Sequence, residues 1–184
     1  MERCAWAGSS PEYVAYHDDE WGVPLHGDDA LFERLSLEAF QSGLSWITIL
    51  RKRQNFRAAF AGFHLATVAA YDDTDVRRLL ADSGIVRNRA KIEATIANAR
   101  TALAMPEGLD GFLWSFAPDQ PRRPPPSLAD VPTTSPESIA MAKELKRRGF
   151  RFVGPTTAYA LMQATGMVDD HVATCWRAGA VTLP

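Results

Sequence analysis

Two cysteines stand near opposite ends of the chain, Cys4 and Cys175, and each has a histidine within reach, His17 and His171. Thiolate and imidazole are the preferred ligands of zinc, and a structural site usually takes four of them. His171 and Cys175, in the stretch HVATC at 171–175, are four residues apart. On a helix that spacing places both side chains on one face, where they can point at one ion. Cys4 and His17 need a folded-back segment to meet. Together the four make a Cys2His2 set that would tie the two termini together. The spacing also permits a buried thiol beside satisfied histidines, which is the commoner outcome for a lone HxxxC pair. A Cys4–Cys175 disulfide is disfavoured in a reducing cytoplasm.

A second concentration of chemistry lies early in the chain. Trp6, Tyr13, Tyr16, Trp21 and Trp46 fall within the first 46 residues. Large rings most often fill a core, but they are also the groups on which planar ligands stack. Glu38 is flanked by Leu37 and Ala39 inside LSLEAFQSGLSW, 35–46, whereas a lone helical glutamate normally faces solvent.

Helical periodicity dominates the elements that must position these residues. In 29–43, Leu31, Phe32, Leu35, Leu37 and Phe40 form a broad apolar face ending at Gly43. A helix is expected over 45–60, and another over 75–82 capped by Asp73 or Thr74 and closed by Gly84. The alanine-rich stretch 88–105 places Ile92, Ile96, Ala99 and Leu103 on one side. Ser135 followed by Pro136 reads as an N-cap and first helical residue, and 155–166 opens with proline and closes with glycine. No run of alternating strand pattern is found, so the expected class is all-α. Seven of the twelve prolines lie between 118 and 136, which predicts a long surface loop near 117–136 within one domain spanning 1–184.

Hydrophobic residues make up 46% and charged residues 23%, ordinary for a globular protein. No apolar run approaches the length of a membrane span, and the first 25 residues carry charges throughout, so a cytoplasmic monomer is expected. The net charge of -2 argues weakly against nucleic acid by bulk charge. Lysine and arginine nevertheless cluster at 51–57, 87–91, 122–123 and 143–151. Such a stripe on a near-neutral protein can hold a phosphate backbone, although a basic run is more often a solvated helix face.

The stretches MERCAWA (1–7), YVAYHDDEWGVP (13–24), LSLEAFQSGLSWITILRKRQNFRAAF (35–60), SGIVRNRAKIEATIANA (83–99) and LKRRGFRFVGPTTAYALMQATGMVDDHVATC (145–175) are long, ordered and dense in Trp, His and Gly. On them the chain resembles the 3-methyladenine DNA glycosylase I family over nearly its whole length. The resemblance implies a structural zinc on Cys4, His17, His171 and Cys175, with no open position for water. It implies a helix-hairpin-helix DNA glycosylase fold, with 149–162 as the hairpin and its second helix. Gly149 and Gly154 would permit the turn, helix N-terminal amides would bind a phosphate, and Lys146 and Arg151 would flank it.

The implied activity is excision of 3-methyladenine from alkylated double-stranded DNA, without lyase activity. Tyr16 and Trp46 would wall the pocket of the flipped base, with Trp6, Tyr13 and Trp21 nearby, and Glu38 would read it. Leu44 is a candidate wedge for the gap left in the duplex, or a buried leucine at a helix junction. Related helix-hairpin-helix glycosylases use an aspartate shortly after the hairpin. Asp169 falls there, where this family usually has Asn, and is expected to support the zinc histidine rather than approach the sugar. A non-catalytic module that binds DNA or senses alkylated bases would share the zinc and the hairpin, but would not need Glu38 with the aromatic set.

Overall fold

The computed structural model describes residues 1–120 and 122–179. Pro121, in the proline-rich crossing, and residues 180–184 of the expected domain lie outside the described residues. Among the described residues there are nine α-helices and no strand. They are α1 (Pro11–Asp19), α2 (Asp28–Gln41), α3 (Trp46–Ala59), α4 (Leu65–Ala69), α5 (Asp73–Ala81), α6 (Arg89–Leu103), α7 (Gly108–Trp114), α8 (Pro136–Arg148) and α9 (Pro155–Ala164). Short 3-10 turns cover Ala5–Ser9, Ala61–Phe63 and Leu128–Asp130. No described helix is long and apolar enough to cross a membrane.

α2 is the central element. Nine of the ten positions from Leu31 to Phe40 are buried, including Arg34, Ser36 and Glu38. A helix buried on nearly all sides must be covered all round, and α2 packs against α9, α3, α7, α6 and α4. Its N-terminus carries Asp28 and Asp29, favourable against the helix dipole. These carboxylates also accept from the backbone N–H of Asp110 and Leu65, both at 2.8 Å, and so anchor α7 and α4. One apolar core runs from Leu31 to Val168.

Several local expectations shift by a residue or a face. The cap of α5 is Asp72, in a capping box with Asp75, rather than Asp73 or Thr74. On α6, Leu103 is exposed, because Ala102 continues the buried row three residues after Ala99. α1, α4 and α7 are short helices that periodicity did not resolve. Residues 171–175 form turns, not a helix; the Cys175 N–H donates to the Val172 carbonyl at 2.7 Å.

α8 and α9 are joined by the connection 149–154. Ser135 caps α8 and Gly149 closes it with φ +101°, a left-handed conformation that glycine adopts at little cost. Both backbone groups of Arg151 are held by buried Asn98, at 3.0 and 2.9 Å. Gly166 serves a close approach: a Cβ there would lie 2.6 Å from the Pro24 backbone nitrogen. Its absence lets segment 22–24 cross the end of α9 and carries Trp21 to the terminal cluster.

Candidate active site and metal cluster

The four residues singled out at the termini converge. Cys4, His17, His171 and Cys175 are all buried, and their ligand atoms lie within 4.8 Å of one another. Cys175 Sγ stands 3.4 Å from His17 Nε2 and 3.6 Å from His171 Nδ1, and Cys4 Sγ stands 3.7 Å from His171 Nδ1. A tetrahedral ion on two thiolates and two imidazoles requires such atoms to be about 3.3–3.8 Å apart, from the usual bond lengths.

The far nitrogens are also placed as a metal site needs. His17 Nδ1 meets the Asp18 carboxylate at 2.8 Å, and His171 Nε2 meets the Trp21 carbonyl at 3.2 Å. Asp18 is itself gripped by Arg3, which holds its carboxyl well below the usual range. Burial pushes the His171 pKa down to about 4, keeping the ring neutral with a lone pair to offer. The cluster could therefore hold a metal ion. Asp169 accepts from the backbone N–H of His171 at 3.1 Å and of Gly179 at 2.8 Å, so it braces the ligand loop.

Trp6 and Trp21 pack on the cluster of Cys4, Val172 and Cys175. Their other sides line a cleft of about 470 Å³. Tyr13, Tyr16 and Trp46 line it too, so all five early aromatics meet at one place. Trp6 contacts Trp21 and Tyr13 edge-on at centroid distances of 5.1 and 5.5 Å, and Tyr16 tilts against Trp46 at 5.4 Å. Tyr13 Oη accepts from the Ile47 N–H at 3.0 Å, tying α1 to the start of α3.

Glu38 also lines the cleft. It is 6% exposed, and among the described residues its carboxylate has no hydrogen-bond partner. Burial pushes its pKa up to about 7, against the opposing pull of Arg34. A buried polar group without a partner is costly and unusual. Here it faces a cavity, so a ligand can supply the missing donor.

The opposite wall was not foreseen from sequence. Tyr159 and Gln163 of α9 both donate to the Asp170 carboxylate, at 2.6 and 2.8 Å, and all three line the cleft. The proline-rich crossing supplies Leu128, Val131, Pro132 and Thr133. It is thus a pocket wall as well as a surface loop, tied to the ligand segment by the Ala173 N–H donating to the Pro125 carbonyl at 2.8 Å.

Leu44 lies in the turn between α2 and α3 and is 39% exposed, so the buried-junction alternative does not hold. The turn is rigidly held: Lys91 donates to the Phe40 and Ser42 carbonyls at 2.9 and 2.6 Å, and Gln41 to the Leu44 carbonyl at 2.6 Å. Around the α8–α9 connection, Arg147 and Arg148 are paired with Glu144. Lys146 and Arg151 are exposed and have no ion pair among the described residues. Gly154 has an ordinary φ of −90° and open space where a Cβ would stand.

An all-helical protein whose aromatic box ends in one unpartnered carboxylate is a receptor for a planar heterocycle that brings its own donors. The chain belongs to the methyladenine glycosylase family, whose sequence pattern matches residues 6–178. It is 49% identical to DNA-3-methyladenine glycosylase 1 of Escherichia coli K12 over 95% of this chain and 96% of that one. It is 45% identical to DNA-3-methyladenine glycosylase of Haemophilus influenzae over 94% and 96%. Among solved structures, a variant of 3-methyladenine DNA glycosylase I in complex with 3-methyladenine matches with a TM-score of 0.92 and 33% identity, over 99% of this chain and 100% of that one.

Proposed function

We propose that this protein is a DNA-3-methyladenine glycosylase that excises the cationic base from alkylated double-stranded DNA. The observation that carries the reading is Glu38, a buried carboxylate without a protein partner at the end of an aromatic cleft. N3-methylation makes the base cationic, so electron-rich rings and a carboxylate both attract it. The base is flipped from the stack, taken into the cleft walled by Tyr16 and Trp46, and offers its exocyclic amine to Glu38. Trp6, Tyr13 and Trp21 complete the box.

The positive charge weakens the bond between C1′ and N9. That bond breaks with its electron pair going to the base, which leaves neutral, and a water oxygen bonds C1′ and gives up one proton to solvent. Much of the selection then rests on capture and water exclusion. Among the described residues no lysine lines the cleft, so no amine stands ready for Schiff-base lyase chemistry.

Outside the pocket, Leu44 is the wedge that fills the vacated stack. Gly149, Gly154, Lys146 and Arg151 form a helix-hairpin-helix contact with the phosphate backbone. The open space above Gly154 and the free cations beside it support that assignment. Zinc is the ion that best suits Cys4, His17, His171 and Cys175; with four protein ligands it supplies structure rather than a water nucleophile. The single core from Leu31 to Val168 supports one glycosylase domain over 1–184. DNA treated with a methylating agent, incubated with the protein and resolved by chromatography, tests the reading. Free 3-methyladenine is expected while 7-methylguanine stays in the DNA. No release from folded, metal-loaded protein would refute it.

A further inference from the structure

One buried cation sits behind the pocket with no part in the scheme above. Arg34 is 8% exposed on α2, one turn before Glu38, so the two side chains lie on the same face. Its Nη1 donates to Tyr16 Oη at 2.9 Å, and its Nη2 donates to Glu20 at 3.3 Å. Glu20 is held in turn by Arg53 at 2.7 Å. A guanidinium has donors and no acceptor. The Tyr16 oxygen must therefore accept from Arg34, and its own proton is left to point elsewhere. Among the described residues nothing else bonds that hydroxyl.

We propose that Arg34 is a positioning residue of the base pocket. It fixes Tyr16 as a hydrogen-bond donor toward the bound base and holds Glu38 in the form that accepts. The inference rests on the glycosylase reading for the identity of the base. An adenine edge presents an amine donor beside a ring-nitrogen acceptor, whereas guanine presents a carbonyl beside that nitrogen. An acceptor at Glu38 paired with a donor at Tyr16 matches the first pattern and places the Glu38 carboxylate against the carbonyl of the second. Arg34 thus acts on specificity without touching the base.

Other charged groups near Glu38 are already engaged. Arg53 of α3 serves Glu20, Lys91 of α6 serves the end of α2, and Tyr159 serves Asp170 across the cleft. From α7, Asp110 is bound at the far end of α2 with His26 and Gly27. Arg34, though it also serves Tyr16 and Glu20, is the cation that lowers the Glu38 carboxyl, and burial alone pushes that group up.

The test is a double-mutant cycle of Arg34→Met and Tyr16→Phe in the metal-loaded protein, read as affinity for free 3-methyladenine by tryptophan quenching. At a pH above the acid limb, where Glu38 is ionised in every variant, each single variant should bind about tenfold more weakly, and the double variant no more weakly than Tyr16→Phe alone. Arg34→Met should also move the acid limb of the binding profile to higher pH, and Arg34→Lys should restore part of both effects. Full additivity of the two losses, or an unmoved acid limb, would overturn the proposal. Thermal unfolding of each variant separates misfolding from altered binding. Should Arg34→Met not fold, Arg34→Gln carries the cycle, and an acid limb and affinity both equal to the wild type's overturn the proposal. A wild-type protein that binds the free base but releases none from DNA refutes the enzyme and leaves the cycle readable. One that does neither overturns both.

Discussion

Two buried carboxylates line the cleft, and the protein treats them in opposite ways. Asp170 is 4% exposed and accepts from Tyr159 and Gln163. Glu38 is 6% exposed and accepts from nothing among the described residues. Equal burial thus carries two meanings. A satisfied carboxylate braces a wall, because its partners belong to the protein and stay there. An unsatisfied one is held ready by a fold that bears its desolvation cost until a ligand arrives.

The strongest way to break this contrast is to remove what holds the walls apart. If the terminal cluster holds the metal proposed for it, chelation should unfold the aromatic side of the cleft, since Trp6 and Trp21 pack on Cys4 and Cys175. Binding energies for such sites are on the order of 10 kcal/mol. A large fall in Tm, with loss of base release, is expected; calorimetry with and without chelator checks it. An unchanged Tm would show that the cluster stands without an ion.

Glu38→Gln should come next in size. Losing a hydrogen bond to a charged acceptor amounts to about 1.5–3 kcal/mol, or roughly ten- to a hundredfold in kcat/KM. Stability should move the other way. The folded pKa of about 7 lies above the ordinary glutamate value. Between the two values the native state binds the extra proton, so wild-type stability falls as pH rises from about 5 to 7 and is flat above. Base capture rises over the same window as the acceptor form appears. Glu38→Gln should flatten both curves. Paired denaturation and release profiles decide it, and a sloping stability curve in the variant would assign the titration to another group.

Asp170→Asn should have the smallest effect on capture and a clear one on stability. Its two donors share one carboxylate oxygen, so both lose a charged acceptor, a change of about 1.5–3 kcal/mol in unfolding free energy, with base affinity falling less than in Glu38→Gln. Denaturant midpoints against base titrations give the comparison. Loss of binding with unchanged stability would make Asp170 a ligand group and erase the distinction drawn above.

Much of this was legible before any coordinates. The class followed from periodicity, α6 from its alanine-rich pattern, and the starts of α8 and α9 from a cap and proline. The four terminal ligands and the aromatic set followed from residue type and resemblance. What escaped detection has a common cause. Arg34 looks like any basic residue of a solvated helix face; only the packing of α1, with Tyr16 and Glu20, buries it. Asp170 sits beside Asp169 in a run of acids, and nothing local says which turns inward. The prolines at 124–126 and 132 announce a loop but not that it walls a cavity. The HxxxC pair was expected on a helix, yet Asp169 and a turn bring the ligands together instead. Each case depends on contacts between distant segments, which a local pattern does not carry.

The clasp also dictates an order of events during synthesis. Cys4 and His171 meet across 167 positions, and the cleft takes Trp6 from one end and Asp170 from the other. Helices α2 to α6 can collapse on each other as they leave the ribosome, with modest loops to close. The cleft cannot exist until the segment around 170–175 has emerged and paid the entropy of that longest closure. A stalled chain lacking it would have most of its core and no place for a base. The binding surface therefore forms only after the segment around 170–175 has joined the aromatic side.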